Sequence, residues 1–113
     1  MARRSKVKAP TTEYRSPDGD VLVLRGSMTP GTRQEYAAAV GGSPLSQEDA
    51  WHRAVEFLFE RLAVSWAVSG LAPIKRQKEL LARFRMASHD ERQWIRDVLR
   101  EHLAANFPEL SPP

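Results

Sequence analysis

The sequence predicts a mainly α fold, namely a small four-helix domain with a short N-terminal β-hairpin. Two observations support this prediction. Apolar residues recur at helical spacing through most of the second half of the chain, in stretches bounded by capping residues, Pro or Gly. Closer to the N-terminus, a Pro-Asp-Gly turn precedes a short apolar run rich in strand-forming residues.

Length and composition divide the chain into three parts. The 113 residues match the size of one domain. Residues 1–11 are expected to be a disordered basic tail, residues 12–110 the folded domain, and residues 111–113 a second disordered tail. The net charge of +3 owes much to the first tail, so the rest of the chain is close to neutral. The chain has no Cys, which excludes disulfides and thiolate metal sites.

The hairpin is predicted from residues 14–24. Within the segment Ser-Pro-Asp-Gly-Asp at 16–20, Pro17 presets the φ of a turn and Gly19 accepts a positive φ. The run Val-Leu-Val-Leu at 21–24 then forms a strand. Because two strands alone are marginally stable in water, the hairpin must lie on the helices or pair with another chain.

The first two helices are predicted from their ends. Thr29-Pro30 begins the first helix, because Thr caps and Pro is tolerated at the first helical position, and Gly41-Gly42 ends it. Ser46 is the predicted N-cap of a long central helix over residues 47–68, which Ser69-Gly70 ends.

Two further helices follow. The third is predicted over residues 74–86, after Pro73. The fourth begins at Ser88, where Glu91 completes a capping box, and it ends before Pro108.

The central helix predicts a partner-binding surface. One apolar stripe contains Trp51, Val55, Leu58, Phe59, Leu62 and Trp66, and a second contains Phe57, Val64 and Val68. A helix that is apolar around so much of its circumference usually packs on more than one side. Basic residues of the third helix are expected to orient a partner and speed its binding. The predicted partner-binding residues are Phe57, Val64, Val68, Trp66, Lys75, Arg76 and Arg83.

No constellation of residues predicts an enzyme, a metal site or a cofactor. Ser88-His89-Asp90 has the letters of a hydrolase triad, but successive helical residues point about 100° apart and cannot converge on one proton path. The three His residues, His52, His89 and His102, have no metal-ligand spacing. His52 and His102 are expected at helix boundaries, between core and solvent.

Nucleic-acid binding is the alternative function. The basic tail from Arg3 to Lys8 and the cations between Lys75 and Arg85 would contact phosphate. The helix pair around residues 73–88 superficially has helix–turn–helix spacing. Its second helix opens with His89-Asp90-Glu91, however, and acidic side chains repel phosphate, so nucleic acid is the less favoured partner.

Three stretches resemble small tail-assembly chaperones of long-tailed, siphovirus-type bacteriophages of actinobacterial hosts. They are residues 17–26 with Thr29-Pro30 following, residues 56–62 with Trp66, and residues 79–84. The similarity spans roughly residues 14–110 and is one of layout, since the family has no catalytic signature.

The resemblance implies a non-enzymatic, mostly helical protein of the host cytoplasm. Such chaperones coat the tape-measure protein, help tail-tube subunits polymerise around it, and are typically absent from the finished virion. Many are also made in a longer, frameshifted form. The partners implied are therefore the tape-measure and tail-tube proteins, with no membrane and no cofactor. An exposed strand edge and broad apolar helices also favour self-association.

Overall fold

A computed structural model describes residues 10–41 and 47–113 of the chain. The predicted cap Ser46 and residues 1–9 of the predicted basic tail lie outside these residues, whereas Thr11, the last residue of that predicted tail, begins β1. The elements in chain order are β1 (Thr11–Arg15), β2 (Val21–Arg25), α1 (Pro30–Gly41), α2 (Gln47–Leu62), β3 (Ala63–Ala67), α3 (Gln77–Arg85) and α4 (His89–Asn106). The four predicted helices are present, but a three-stranded antiparallel sheet makes the fold mixed α and β.

The predicted hairpin is confirmed. β1 and β2 pair antiparallel, with Tyr14 opposite Leu22. In the connecting turn, Gly19 has a φ of +92°, which is the conformation for which Gly is suited. The Ser16 hydroxyl accepts a hydrogen bond from the Asp20 backbone N–H at 2.9 Å, which closes the turn.

The predicted central helix over 47–68 is wrong in its last six residues. α2 ends at Leu62, and the next five residues form β3, which pairs antiparallel with β2. Val64 and Trp66 are of types that favour strands, and β3 gives the hairpin the third strand that it needs for stability. A bulge in the register between Val23 and Leu24 accommodates the entry into β3.

The third helix also begins later than predicted, at Gln77 instead of residue 74. Ile74 forms a bridge with Trp66: the Ile74 N–H donates to the Trp66 carbonyl at 2.9 Å, and the Trp66 N–H donates to the Ile74 carbonyl at 3.0 Å. These two bonds hold the segment before α3 against the outer edge of β3.

The predicted starts of the first and fourth helices are confirmed. The Thr29 hydroxyl accepts from the Thr32 N–H at 3.1 Å, just before α1. At α4, the Ser88 hydroxyl accepts from the Glu91 N–H at 3.1 Å, while the Ser88 N–H donates to the Glu91 carboxylate at 2.9 Å. This reciprocal pair is a complete capping box.

A single hydrophobic core lies between the sheet and the helices. Its largest fully buried side chains are Trp66, Tyr36, Phe59, Phe107, Leu22, Leu24, Leu58, Leu62, Ile95, Leu99, Leu103 and His102. Phe59 stacks on Phe84 with ring centroids 4.8 Å apart and meets Trp66 edge-on at 5.5 Å. This aromatic cluster ties α2, α3 and β3 together.

The last residues, expected to be a disordered tail, lie against the helices in the structure. The Pro113 backbone oxygen accepts from Arg96 Nε and from Arg100 Nη1, both at 3.2 Å. The Ser111 carbonyl accepts a hydrogen bond from the Tyr36 hydroxyl. These contacts connect the end of the chain to α4 and α1.

Among the described residues, no helix combines the length and the apolar character required to cross a membrane.

Candidate functional site

A half-open cleft between α2 and α4 is the candidate functional site. Its volume is about 200 Å³. The end of α3 closes it at one side. The lining residues are Glu48, Trp51, His52, Val55, Glu56, Phe84, His89, Arg92, Gln93 and Arg96. This volume lies below the ~300–1,000 Å³ typical of small-molecule sites, so the cleft suits a few side chains better than a whole ligand.

The floor of the cleft is apolar and aromatic. Val55 and Phe84 are buried, and Trp51 is half-buried. The Arg96 guanidinium carbon lies 4.1 Å from the Trp51 ring centroid, and the Arg92 guanidinium carbon lies 5.4 Å from that of Phe84. Each of these two arginines of α4 therefore covers one aromatic ring, within the range of a cation–π interaction.

The rim of the cleft carries opposite charges on its two sides. Arg92 and Arg96 belong to α4, whereas Glu48 and Glu56 belong to α2. Arg85 Nη2 donates to the Glu56 carboxylate at 2.9 Å, and this hydrogen bond, together with the charge of Glu56, raises the pKa of Arg85. The two sides of the rim therefore differ in charge, an asymmetry that would orient a charged ligand.

The lining of the cleft also includes two histidines, His52 and His89. His52 Nε2 lies 3.9 Å from the Glu48 carboxylate, with both side chains exposed. Within residues 10–41 and 47–113, no group of three or more His, Asp or Glu is placed to hold a metal ion. Ser88 and its neighbours begin α4, and the hydroxyl of Ser88 is used for capping.

Phe57, the first of the predicted partner-binding residues, packs between helices. It is half-buried, with its ring centroid 6.4 Å from that of Tyr36 in α1. The Arg61 guanidinium carbon lies 4.9 Å from the Phe57 ring centroid. Phe57 is not among the residues that line the cleft.

The predicted second helical stripe does not exist, because its other members lie in or beyond β3. Val64 lies in the strand, Val68 directly follows it, and both are half-buried. Trp66, which was also predicted to bind a partner, is fully buried in the core. These residues therefore do not form one helical stripe with Phe57, and whether Phe57, Val64 or Val68 contacts a partner stays a prediction.

The predicted basic cluster divides into two parts. Arg83 Nη2 lies 2.7 Å from the Glu91 carboxylate, and its guanidinium carbon lies 5.0 Å from the Trp66 ring centroid. Lys75 and Arg76 are exposed, ahead of α3. Whether any of the three contacts a partner stays a prediction.

Two further features of the structure are not predicted from the sequence. One is the contact of Trp51 with Arg96, for which the sequence holds no signal because the two residues lie on different helices. The other is the complete burial of His102, which had been expected at a boundary with solvent. Its place on the apolar stripe of α4, three residues after Leu99 and next to Leu103, was the available signal.

Comparison of the chain with known protein families, with curated proteins and with solved structures finds no match.

Proposed function

We propose that this chain is a non-enzymatic tail-assembly chaperone of a long-tailed bacteriophage, which binds a helical segment of the tape-measure protein in the α2–α4 cleft. The proposal combines the resemblance of the sequence with one structural observation. That observation is the small cleft with an aromatic floor, Trp51 and Phe84, flanked by charges of opposite sign.

The chemistry of the cleft suits an amphipathic helix. Apolar side chains at i, i+3, i+4 and i+7 of the partner would lie along the floor formed by Trp51 and Val55. Acidic residues of the partner would face Arg92 and Arg96, and basic residues would face Glu48. A tape-measure protein before assembly offers long helices with exposed apolar stripes, and covering them would prevent aggregation until tail-tube subunits polymerise. The place of action would be the host cytoplasm.

Binding to the tape-measure protein tests the proposal. The proposal predicts a neighbouring gene that encodes a very long helical protein, and the product of that gene is the partner for co-purification. Trp51→Ala removes the exposed part of the floor, and Leu71→Ala is the matched control, because Leu71 is exposed on the turn after β3. We expect Trp51→Ala to weaken binding at least tenfold and Leu71→Ala to leave it unchanged. Circular dichroism verifies that both variants fold.

Two results would reject different parts of the proposal. If the tape-measure protein binds the wild type and Trp51→Ala equally, the cleft is not the binding site. If it binds neither, and neither the tail-tube protein nor any tape-measure fragment binds, the chaperone function itself is wrong. The order of the neighbouring genes provides an independent check, since a major tail protein should precede this gene and the tape-measure gene should follow it.

One observation favours the alternative function, nucleic-acid binding. Lys75, Arg76 and Lys78 are exposed and adjacent, and none of them forms an ion pair with another described residue. Titration with duplex DNA at two salt concentrations discriminates, because phosphate binding weakens steeply with salt. The acidic side chains at the start of α4, Asp90 and Glu91, argue against a recognition helix there.

A further inference from the structure

β1 has an unpaired edge. The sheet order is β1-β2-β3, so β2 covers only one side of β1. Among residues 10–41 and 47–113, no strand pairs with the other side. Four of the five residues of β1 are exposed, and only Tyr14 is half-buried. A free edge of this kind offers backbone hydrogen bonds to a further strand.

The two ends of the hairpin show which residues of β1 face that free edge. The Gly26 N–H donates to the Pro10 carbonyl at 2.8 Å, and the Ser16 N–H donates to the Asp20 carbonyl at 2.9 Å. In an antiparallel pair, alternate residues turn their backbone groups toward the partner strand. Every second residue from Pro10 to Ser16 therefore faces β2.

The remaining residues of β1 turn their backbone groups outward. These are Thr11, Glu13 and Arg15. Glu13 and Arg15 are two residues apart, so their side chains lie on the same face of the sheet. Arg15 Nη2 is 2.6 Å from the Glu13 carboxylate, and both side chains are largely open to solvent, at 71% and 47% exposure respectively. The edge thus presents one acid and one base at consecutive outward positions.

We propose that two copies of this chain form a two-fold dimer by antiparallel pairing of their β1 strands, with Tyr14 at the symmetry axis. In this register, Glu13 of each copy lies opposite Arg15 of the other. Both residues have outward backbone groups, so each such pair exchanges two hydrogen bonds. The product is a continuous six-stranded sheet with the β1 strands at its centre.

Charge selects this register over its neighbours. Sliding one strand by two residues in either direction keeps outward backbone groups opposite each other. One direction places Glu13 opposite Glu13 at the axis, and the other places Arg15 opposite Arg15 there. Like charges directly opposite each other destabilise an antiparallel pair, whereas opposite charges stabilise it. The edge is therefore self-complementary in one arrangement, which is what an isologous two-fold interface requires.

Two charge-reversal variants test the dimer, and mixing them should restore the association that each loses alone. By size-exclusion chromatography with light scattering, the wild type should reach twice the chain mass of 12.8 kDa as its concentration rises. Glu13→Arg and Arg15→Glu should each raise the dimer dissociation constant about tenfold, because two attractive pairs become repulsive. An equimolar mixture of the two variants should associate as the wild type does, since every cross-strand pair is then opposite in charge.

A backbone variant provides the second measurement. Glu13→Pro removes an outward N–H, which an edge strand tolerates, so the monomer should keep its circular dichroism spectrum but lose dimerisation. Glu13→Gln, which keeps that N–H, is the control and should weaken the dimer less than Glu13→Pro does. A wild type that stays monomeric at every concentration would overturn the proposal. So would single reversals that dimerise as the wild type does, or a mixture that fails to restore association. Because the cleft lies on α2 and α4, none of these results depends on the chaperone function.

Discussion

Tyr14 and His102 join β1 to α4 through a hydrogen bond of 2.8 Å between the Tyr14 hydroxyl and His102 Nδ1. His102 Nε2 lies 2.6 Å from the Arg25 carbonyl, which can only accept a hydrogen bond, so Nε2 carries the proton. Burial lowers the pKa of His102, so the imidazole is neutral at neutral pH. In that form Nδ1 is the acceptor and the Tyr14 hydroxyl donates to it, and the ring connects β1, β2 and α4.

Removing the Tyr14 hydroxyl should destabilise the fold. In Tyr14→Phe, His102 Nδ1 keeps only the longer contact with Asn106 Nδ2 at 3.3 Å. An imperfectly satisfied buried acceptor costs about 1–2 kcal/mol, and urea denaturation should show a loss of that size. Thr11→Val, an exposed change on the same strand, is the control and should be close to neutral. Equal stability of Tyr14→Phe and the wild type would show that the hydrogen bond contributes nothing.

The same histidine should make stability depend on pH. Burial lowers the pKa of His102 below its ordinary value of 6.5, against opposing effects of the Arg25 carbonyl and the Glu101 charge. Below pH 6.5 the unfolded chain binds the proton more readily than the folded chain does. The stabilisation is therefore complete above pH 6.5 and is lost as the pH falls from there toward the lower folded pKa.

Denaturation over a pH series on both sides of 6.5 measures this effect. His102→Gln should be less stable than the wild type at neutral pH but should lose less further stability on acidification. His52→Gln should retain the wild-type pH dependence, because His52 is 61% exposed. A pH profile of His102→Gln that is parallel to that of the wild type would assign the effect to other groups.

Features that depend on a few neighbouring residues can be predicted from the sequence. The cap at Ser88 and the turn at Gly19 were predicted correctly, because each is specified by residues within four positions. The end of α2 was not predicted. Trp66 lies four residues after Leu62, so its spacing fits a helix as well as a strand. Only its pairing with Leu22, far away in the sequence, selects the strand.

The candidate site was predicted less well than the fold. Phe57, Val64 and Val68 form one stripe only if the helix is continuous, and the strand at Ala63–Ala67 interrupts it. The cleft depends on how α2 crosses α4, which the packing of the whole core determines. A single sequence contains no signal for a contact between Trp51 and Arg96, since it lies on the surface and crosses two helices.

The capping box predicts a specific pair of mutants. Ser88→Ala removes the hydroxyl that accepts from the Glu91 N–H and should cost about 1 kcal/mol of unfolding free energy. Ser88→Asp keeps an acceptor at the cap and should recover most of this loss. Thermal or urea denaturation provides the measurement, and equal losses in the two variants would show that the cap is not what stabilises the helix start.

Two glycines should respond in opposite ways to the same substitution. Gly70 has a φ of +77°, so Gly70→Ala should be destabilised by about 1 kcal/mol, although a Cβ there would meet open space. Gly41 ends α1 with no atom within 4 Å of a built Cβ, so Gly41→Ala should gain up to about 0.5 kcal/mol from helix propensity. The signs of the two changes are the test, and a loss at Gly41 would show that the helix end requires Gly.

Arg83 and its basic neighbours should differ in what they contribute to stability. Arg83 is bound by Glu91 and lies over Trp66, with 28% of its side chain exposed, whereas Lys75 and Arg76 are exposed and unpaired with any described acid. Arg83→Met should therefore lose about 1 kcal/mol of unfolding free energy, because the ion pair and the cation–π contact are removed. Lys75→Met should stay within about 0.5 kcal/mol of the wild type.

If Arg83→Met is as stable as Lys75→Met, the contacts of Arg83 do not stabilise the fold. Loss of partner binding in the Arg83 variant would then be read as a direct contact. If Arg83→Met is destabilised as expected, such a loss must first be corrected for the unfolded fraction.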